Sequence, residues 1–440
     1  MPKLAVTSLG CAKNLVDTEI MLGRLTEAGW EITSDFQEAE LILINTCGFI
    51  GPAKQESIDE IIKMAEYKRP NRGRCRRLVV SGCLVQRYAT ELIKELPEVD
   101  VWLGLGEIDK IVDIISENPH RNGPDLTTPP FLNQMGLPRW QATLNHTTFI
   151  KAAEGCSHNC AYCAIPLIKG RFRSVNPEAI ITEVKRMMDH GVKEFNIIAQ
   201  DLTMYGKDLE PKTNLVSLLE RLLTEANPPW IRLLYAYPSG VDRELLKLIA
   251  EESSICRYLD LPLQHINGRL LGLMNRRERP EQLREKLAMI REIVPDITLR
   301  TTYIVGFPSE TEAEFEELAD FVEEGHFQHA GVFAYSREEG TKAYSISPQL
   351  DEDEKERRRG ILLEKQGKVS AQYLAGQIGK ETLVLIDKIL PDGRAVCRSE
   401  AFAPEVDGVI YLEKTRCQPG DFVTVQITGS DVYNLTAKEI

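Results

Sequence analysis

The chain has 440 residues, 43% of them hydrophobic and 27% charged, a balance typical of folded globular proteins with about two to four domains. Its formal net charge of −13 is opposite to the basic surface that binds nucleic acid, and it favours a basic partner. No run approaches the roughly 18 apolar residues of a membrane span, and no signal-peptide pattern is present. Ten cysteines without a secretion signal predict a reducing, cytoplasmic compartment, where cysteines serve metals or catalysis.

Residues 1–120 are predicted to form a Rossmann-like parallel α/β domain, because apolar strands alternate with amphipathic helices. The predicted strands are residues 4–10, 41–46 and 78–82. They lead into Cys11, Cys47 and Cys83, and such sheets bind ligands beyond the carboxyl ends of their strands. A single cysteine there is commonly a small core residue. Three at equivalent positions predict an iron–sulfur site with three thiolate ligands.

Residues 121–142 are predicted to be a linker, because Pro, Gly, Asn and Thr are frequent in and just before this stretch. Strands and helices then alternate again through residue 371. Six βα units are fewer than the eight that close a TIM barrel, so residues 143–371 are predicted to form an open (β/α)6 barrel. Its active face should lie at the strand ends. The polar candidates there are Gln200, Asp201, Arg232, Tyr237, Gln264, His265 and Arg300.

A C-x3-C-x2-C motif, formed by Cys156, Cys160 and Cys163, follows the first of these strands. Three thiolates on one loop are suited to three irons of a cubane cluster, which leaves the fourth iron open to a substrate. One alternative is a zinc site with His158 as fourth ligand, although zinc prefers two paired cysteine knuckles. The other alternative is three unrelated core cysteines.

With an aromatic residue, Tyr162, before its last cysteine, the motif resembles that of the radical S-adenosylmethionine (SAM) enzymes. The resemblance implies that SAM binds at the open iron and at polar groups on the strand ends. On this basis the SAM contacts are Gln200, Gln264, Arg300 and the backbone of Tyr162, and the 304–308 segment lies near the adenine. Radical chemistry does not require acid–base catalysis, so no side chain is assigned that role.

A charged run at residues 351–359 is predicted to be a solvated helix that leads out of the barrel. Residues 372–440 then contain short strands separated by Pro-Asp-Gly and Pro-Gly-Asp turns, which predict a small five-stranded OB-like barrel. This segment resembles the TRAM domain, usually an RNA-binding module. From Ala371 onward the chain carries 7 Lys and Arg against 10 Asp and Glu, whereas a phosphate-binding tail should be basic.

The three parts together resemble the methylthiotransferases over essentially the whole chain. The resemblance implies two 4Fe–4S clusters, one on Cys11, Cys47 and Cys83 and one on the cysteines of the C-x3-C-x2-C motif. It also implies that SAM is both the source of a 5′-deoxyadenosyl radical and the methyl donor. The N-terminal cluster would carry the added sulfur, and the protein would orient the reactants and exclude water. An electron donor protein and a sulfur source are implied partners.

The family has a branch that modifies a tRNA adenosine and a branch that modifies the β-carbon of an aspartate in the small-subunit ribosomal protein S-twelve. The 8–14 and 398–408 segments resemble the ribosomal-protein branch. The acidic balance independently suits a basic ribosomal protein, free or on the subunit, better than tRNA. The alternatives are the tRNA enzyme and a non-catalytic iron–sulfur module that binds the ribosome.

Overall fold

The computed structural model describes residues 1–116, 123–127 and 137–440, so part of the predicted linker lies outside the described residues. The chain divides into two compact units. The first contains residues 1–142, 149–183 and 336–344, and the second contains 143–148, 184–335 and 345–440. The predicted domain boundaries stay predictions. Among the described helices, none has the length and apolar character needed to cross a membrane.

A parallel five-stranded sheet with helices on its faces forms the N-terminal part of the first unit, as predicted. The strands are β1 (Lys3–Ser8), β2 (Glu31–Ile32), β3 (Leu41–Thr46), β4 (Arg77–Gly82) and β5 (Val101–Leu103), in the order β2-β1-β3-β4-β5. The helices are α1 (Ala12–Glu27), α2 (Gly51–Ala65), α3 (Cys83–Glu95) and α4 (Ile111–Ser116). Because β3 is buried throughout, its apolar run has no solvent-facing side. The sequence interpretation missed β2 and β5, which are two and three residues long.

Residues 147–189 contain the C-x3-C-x2-C motif and the elements next to it. Strand β6 (Thr147–Lys151) leads to the short strand β7 (Ala153–Glu154), which pairs in antiparallel fashion with β8 (Arg173–Ser174). Helix α5 (Ile165–Lys169) lies between these two short strands. Helix α6 (Pro177–Asp189) begins at the predicted proline, and the Asn176 side chain accepts a hydrogen bond from the Glu178 backbone at 2.9 Å. The residues between β7 and β8 therefore form a loop that is closed at its base.

The second unit contains the predicted open barrel of strands and helices. Its strands are β9 (Glu194–Ile198), β10 (Trp230–Leu233), β11 (Ile255–Asp260), β12 (Thr298–Val305) and β13 (His329–Ala334). Its helices are α7 (Leu215–Glu225), α8 (Arg243–Glu251), α9 (Gly268–Leu273), α10 (Pro280–Ile293), α11 (Glu312–Glu323) and α12 (Glu352–Ala375). Strands β9 to β13 pair in parallel, and β6 borders β9 as the sixth strand. The described strands form an open sheet, as the count of six units predicted.

The C-terminal tail is a closed five-stranded barrel, which confirms the predicted OB-like fold. Its strands are β14 (Glu381–Ile389), β15 (Ala395–Ser399), β16 (Ile410–Leu412), β17 (Phe422–Ser430) and β18 (Leu435–Glu439), closed in the order β14-β15-β16-β18-β17. Fully buried side chains such as Val384, Ile410 and Phe402 fill its interior. The sequence interpretation expected five strands but located only the first four.

Buried charges connect this tail to the sheet of the second unit. Glu194 on β9 pairs with Arg232 on β10 at 3.0 Å and with Arg398 on β15 at 2.7 Å. Arg398 also pairs with Asp387 at 2.7 Å, and Asp387 contacts His146 at 3.0 Å. Burial alone would raise the pKa of Glu194, but the charges of Arg398 and Arg232 hold it below its ordinary value. The network therefore fixes the tail barrel against β9 and β10.

The charged run forms the start of α12, as predicted, and the Asp351 side chain caps the helix by accepting from the Glu354 backbone at 2.7 Å. The prediction that this helix is solvated was wrong for two of its residues. Lys355 and Arg358 are only 2% and 4% exposed. Arg358 reaches the buried carboxylate of Glu310 at 2.8 Å, so the run also packs against the segment after β12.

Candidate active site

Three neighbouring strands of the N-terminal sheet are each followed, within three residues, by a cysteine. Cys11 directly precedes α1, Cys47 directly follows β3, and Cys83 is the first residue of α3 after β4. The pairing of β3 with β4 ends at Thr46 opposite Gly82, so the next residue of each strand is a cysteine at the same edge. The sequence prediction that the three cysteines share one edge is therefore confirmed in placement.

Asn14 ties these three strand ends together from the first turn of α1. Its amide donates to the carbonyl oxygens of Leu9 at 3.2 Å and Thr46 at 2.9 Å, and its side-chain oxygen lies 3.4 Å from the Cys83 sulfur. The side chain is 1% exposed, so these bonds are shielded from water. The sequence interpretation used Asn14 only as part of a motif. Its role as a bridge depends on contacts between segments far apart in the chain.

Gly82 allows β3 and β4 to approach closely just before Cys83. Its backbone has a φ of +106°, and a Cβ at this position would lie 2.3 Å from the Thr46 carbonyl oxygen. Glycine is the residue that adopts this conformation without a steric penalty. The geometry of the strand end therefore depends on the absence of a side chain at this position.

Burial and neighbouring charges shift the pKa values of two thiols at this site, those of Cys83 and Cys47. Burial raises the pKa of the Cys83 thiol to about 12, and the ammonium group of Lys169 on α5 opposes that shift. Burial also raises the pKa of Cys47, again against the charge of Lys169. A bound metal stabilises the thiolate directly, and thiolates are the form that ligates iron. The three cysteines, two of them at least partly buried, are thus suited to hold a cluster with Cys11 facing solvent.

The cysteines of the C-x3-C-x2-C motif are partly exposed on the loop that β7 and β8 close. The Cys156 backbone donates to the Gly170 carbonyl oxygen at 3.1 Å, and the Cys163 backbone donates to that of Cys160 at 3.1 Å. Gly155 has a φ of +77°, and a Cβ there would lie 2.3 Å from the Arg171 carbonyl oxygen. The loop is therefore wound so tightly that only glycine fits immediately before its first cysteine.

No group of three or more His, Cys, Asp or Glu side chains within residues 1–116, 123–127 and 137–440 is arranged around a single metal ion. A cubane cluster makes a different demand, because each of its three thiolates binds a different iron. Six cysteines in two groups of three, each brought together by the fold, fit that demand.

Two of the predicted SAM contacts lie where the carboxyl ends of the strands were expected. Gln200 follows β9 by two residues, and Gln264 follows β11 by four. Gln264 has a φ of +72°, and its backbone bonds to Thr302 and Ile304 of β12 at 2.8 Å each. A left-handed glutamine is costly and persists where its surroundings enforce it, often at functional sites. Tyr162 is half-buried on the cysteine loop of the first unit.

Arg300 and Arg232 were expected at strand ends, and this placement was wrong. Each is the third residue of its strand, β12 or β10. Arg300 pairs with Asp260 at 3.1 Å and with Asp407 of the tail at 3.5 Å. A strand prediction from one sequence does not show which polar residue inside the strand has an ion-pair partner in a distant segment. Both guanidinium groups have such partners.

His265 and Glu310 form a buried pair beneath the end of β12. The Nε2 atom of His265 lies 3.0 Å from Glu310, while its Nδ1 atom accepts from the Asn267 backbone at 2.9 Å. The proton of the imidazole therefore lies on Nε2, facing the carboxylate. Glu310 also accepts from the Gly306 backbone and from Arg358. The sequence interpretation missed Glu310, whose contacts hold the 304–308 segment in place.

The other two polar residues predicted near the strand ends, Asp201 and Tyr237, contact each other through the backbone. The Asp201 carboxylate accepts from the backbone of Thr203 at 2.9 Å and from that of Tyr237 at 3.3 Å. The Tyr237 hydroxyl donates to Glu278 at 3.2 Å, and the Arg276 guanidinium stacks over its ring at 4.3 Å. These contacts shape the loops that follow β9 and β10.

Comparisons with known proteins cover nearly the whole chain. Family models match at residues 3–104 (uncharacterized protein family UPF0004), 150–322 (radical SAM superfamily) and 378–440 (TRAM domain). A ribosomal protein uS12 methylthiotransferase RimO from Geotalea uraniireducens is 44% identical over 437 residues, which cover 98% of this chain and 97% of that protein. The RimO protein of Clostridioides difficile is 44% identical over 439 residues, 99% of this chain and 98% of its own.

The chain belongs to the RimO family of methylthiotransferases. It is a radical SAM enzyme, and the cofactors of this family are SAM and two 4Fe–4S clusters. The solved structure of TsrM, a radical SAM methyltransferase from Kitasatospora setae, aligns with a TM-score of 0.54 at 17% identity, over 76% of this chain and 75% of TsrM. At that identity the match shows a shared fold.

Proposed function

We propose that this RimO-family enzyme adds a methylthio group to the β-carbon of an aspartate of ribosomal protein uS12, the S-twelve protein of the small subunit. SAM is both the radical source and the methyl donor. The observation that carries the proposal is the match to relatives named uS12 methylthiotransferases, at 44% identity over nearly the full length of the chain. The two groups of three cysteines support it chemically.

The proposed cluster ligands are all cysteines. Cys11, Cys47 and Cys83 hold one cluster, and the three cysteines of the closed loop, Cys156, Cys160 and Cys163, hold the other. When bound, the loop cluster with SAM supplies the radical that activates the substrate carbon, and the N-terminal cluster supplies the sulfur. With three protein ligands each, both sites leave one coordination position to a small molecule.

The polar side chains at the strand ends of the second unit are proposed to bind and orient SAM rather than to transfer protons. Gln200 and Gln264 present amide groups at the strand ends, where they are proposed to contact SAM, and the Tyr162 backbone is proposed to contact its adenine. His265 is held by Glu310 and by the Asn267 backbone, so its imidazole is part of the framework of the 304–308 segment. No acid–base side chain is assigned to the reaction.

The substrate assignment has an electrostatic argument that is independent of the relatives. The net charge of −13 attracts a basic ribosomal protein and repels the phosphates of tRNA. The tail barrel, which usually binds RNA in other proteins, is itself mildly acidic, with 7 basic against 10 acidic residues from Ala371 onward. We also propose that the enzyme works in the cytoplasm with an electron donor protein and a sulfur source, on uS12 that is free or on the subunit.

Anaerobic turnover tests the function. The protein is reconstituted with iron and sulfide, supplied with SAM and a reductant, and offered uS12 and bulk tRNA in parallel, with mass spectrometry of both. A mass increase on an aspartate of uS12 is the expected result. Modified adenosine in tRNA would overturn the substrate assignment. A fully loaded protein that fails to cleave SAM would overturn the enzyme assignment and favour a structural iron–sulfur module.

A further inference from the structure

Four buried charges form a closed ring between the two cysteine sites of the first unit. Asp17 on α1 pairs with Lys151 at the end of β6 and, at 3.1 Å, with Lys169 at the end of α5. Glu154 on β7 pairs with the same two lysines, at 2.7 Å and 3.4 Å. The side chains of Asp17 and the lysines are 2–4% exposed and that of Glu154 is 12% exposed. Each lysine thus contacts both carboxylates.

The ring includes residues that are close in sequence to a cysteine of each site. Asp17 lies on the helix that begins after Cys11, and Glu154 lies two residues before Cys156. Helix α5, which ends at Lys169, packs against α3, which begins at Cys83. Burying four charges is costly, and well-packed apolar residues often give equal or better stability. A contribution to folding stability therefore explains this ring poorly. Its position near the cysteines suggests instead a role in the chemistry of a bound cluster.

The two lysines are not equivalent with respect to the N-terminal cysteines. Lys169 ends α5, which packs against the helix that begins at Cys83, whereas Lys151 ends strand β6. The charge of Lys169 also opposes the rise in the pKa of the Cys83 thiol. Lys169 also acts on Cys47. Coulomb interactions over short distances are strong where water is excluded. The packing of α5 against α3 thus brings the Lys169 end of the ring toward the strand end that carries Cys83, while Lys151 lies on β6.

We propose that Lys169 is a positioning residue that raises the reduction potential of the N-terminal cluster, and that Asp17, Lys151 and Glu154 hold its ammonium group in place. The inference rests on the proposed ligands Cys11, Cys47 and Cys83. A fixed positive charge stabilises the more negative, reduced state of a cluster, whose potential depends on net charge, hydrogen bonds and exposure. Nothing in this argument requires the lysine to gain or lose a proton.

The test measures the potential of the N-terminal cluster alone. In full-length protein the loop cysteines are replaced (Cys156→Ala, Cys160→Ala, Cys163→Ala), the remaining cluster is reconstituted, and its reduction is followed by electron paramagnetic resonance in a redox titration. Lys169→Met is compared with Lys151→Met, which removes the same charge from the same ring. Lys169→Arg keeps the charge. The double variant Lys169→Met/Glu154→Gln keeps the ring neutral overall, in case the single variant fails to fold.

Lys169→Met, alone or with Glu154→Gln, should lower the ratio of reduced to oxidised cluster at least about tenfold at a fixed potential, which is about 59 mV for one electron. Lys151→Met should change the ratio less than about threefold, and Lys169→Arg should stay close to the parent. An unchanged ratio in Lys169→Met, or equal changes in both Met variants, would overturn the inference about Lys169 and leave the ligand assignment standing. If the protein that carries only the three loop-cysteine substitutions binds no iron, the ligand assignment on which the inference rests is overturned.

Discussion

The two cysteine sites of this enzyme are built in opposite ways. The site of Cys156, Cys160 and Cys163 comes from one loop closed by β7 and β8. The site of Cys11, Cys47 and Cys83 comes from three strand ends that meet only because β1, β3 and β4 are neighbours in register. The first site is therefore vulnerable to local changes in one loop, whereas the second depends on the fold of a whole sheet. Variants of each kind test this difference.

The largest effects are expected from the ligands themselves. Cys160→Ala should remove about half of the bound iron and reduce SAM cleavage to background, because the cluster proposed to generate the radical is the one on this loop. Cys47→Ala should also remove about half of the iron but retain SAM cleavage, while methylthio transfer to uS12 falls to background. Iron analysis, SAM cleavage and product mass are measured on both variants. Loss of SAM cleavage in Cys47→Ala would show that the two sites do not have separate roles.

The charge network of Glu194, which contains none of the six proposed cluster ligands, should show a large loss of stability and no loss of a cluster when it is broken. Glu194→Gln removes the carboxylate that pairs with Arg232 and Arg398, which leaves two buried guanidinium groups with less compensation. Breaking a buried pair in this way costs about 3–5 kcal/mol, seen as a lower melting temperature of the second unit. Iron content of the folded protein should match the parent. An unchanged melting temperature would mean that the network does not hold the tail barrel.

The contribution of the Glu194 carboxylate to stability should decrease as the pH falls. Since Arg398 and Arg232 hold the pKa of Glu194 below its ordinary value, its contribution is complete above the unfolded pKa, near about 4.3. It is lost as the pH falls through the lower, folded pKa. The difference in melting temperature between the parent and Glu194→Gln should therefore be constant near neutrality and shrink below about pH 4. A difference that grew on acidification would contradict the charge assignment.

The loop motif could be recognised from the sequence because its three cysteines lie within eight consecutive residues, 156–163. The N-terminal site required a further step, the inference of a parallel sheet, which succeeded because β1, β3 and β4 are six-residue strands that each contain three or four consecutive apolar residues. Strand β18 was missed because only two of its five residues, Leu435 and Ala437, are buried, which leaves a weak apolar pattern. Side-chain partners from distant segments could not be predicted in this way. The sequence does not show that Arg300 pairs with Asp407 or that Lys169 approaches Cys83.

Substitution of the glycines next to the cysteines should affect each site separately. Gly155→Ala and Gly82→Ala both place a Cβ 2.3 Å from a carbonyl oxygen at positive φ, which costs about 1–3 kcal/mol. Gly155→Ala should lose the loop cluster and SAM cleavage with the smaller decrease in melting temperature, because its strain can be relieved within one loop. Gly82→Ala should lose the N-terminal cluster and also lower the melting temperature, because it disturbs the pairing of β3 with β4. Equal melting temperatures would argue against a dependence on the sheet.

The smallest effect is expected at a single proposed SAM contact in the second unit, Gln264. Gln264→Ala removes an amide without adding strain, since alanine at φ +72° is no more crowded than glutamine. The SAM concentration for half-maximal cleavage should rise about tenfold, equivalent to about 1.4 kcal/mol, within the range of one hydrogen bond. Gln264→Asn, which keeps an amide and tolerates this backbone conformation, should recover part of the loss.

Arg300→Gln is the matched control for this measurement, because Arg300 was expected to contact SAM but pairs with Asp260 and Asp407 inside the fold. It should lower the melting temperature and leave the SAM concentration for half-maximal cleavage unchanged. If instead Arg300→Gln weakened SAM binding and Gln264→Ala did not, the SAM site would extend along β12 toward the tail. The strand ends would then contribute less to SAM binding than the placement of Gln264 indicates.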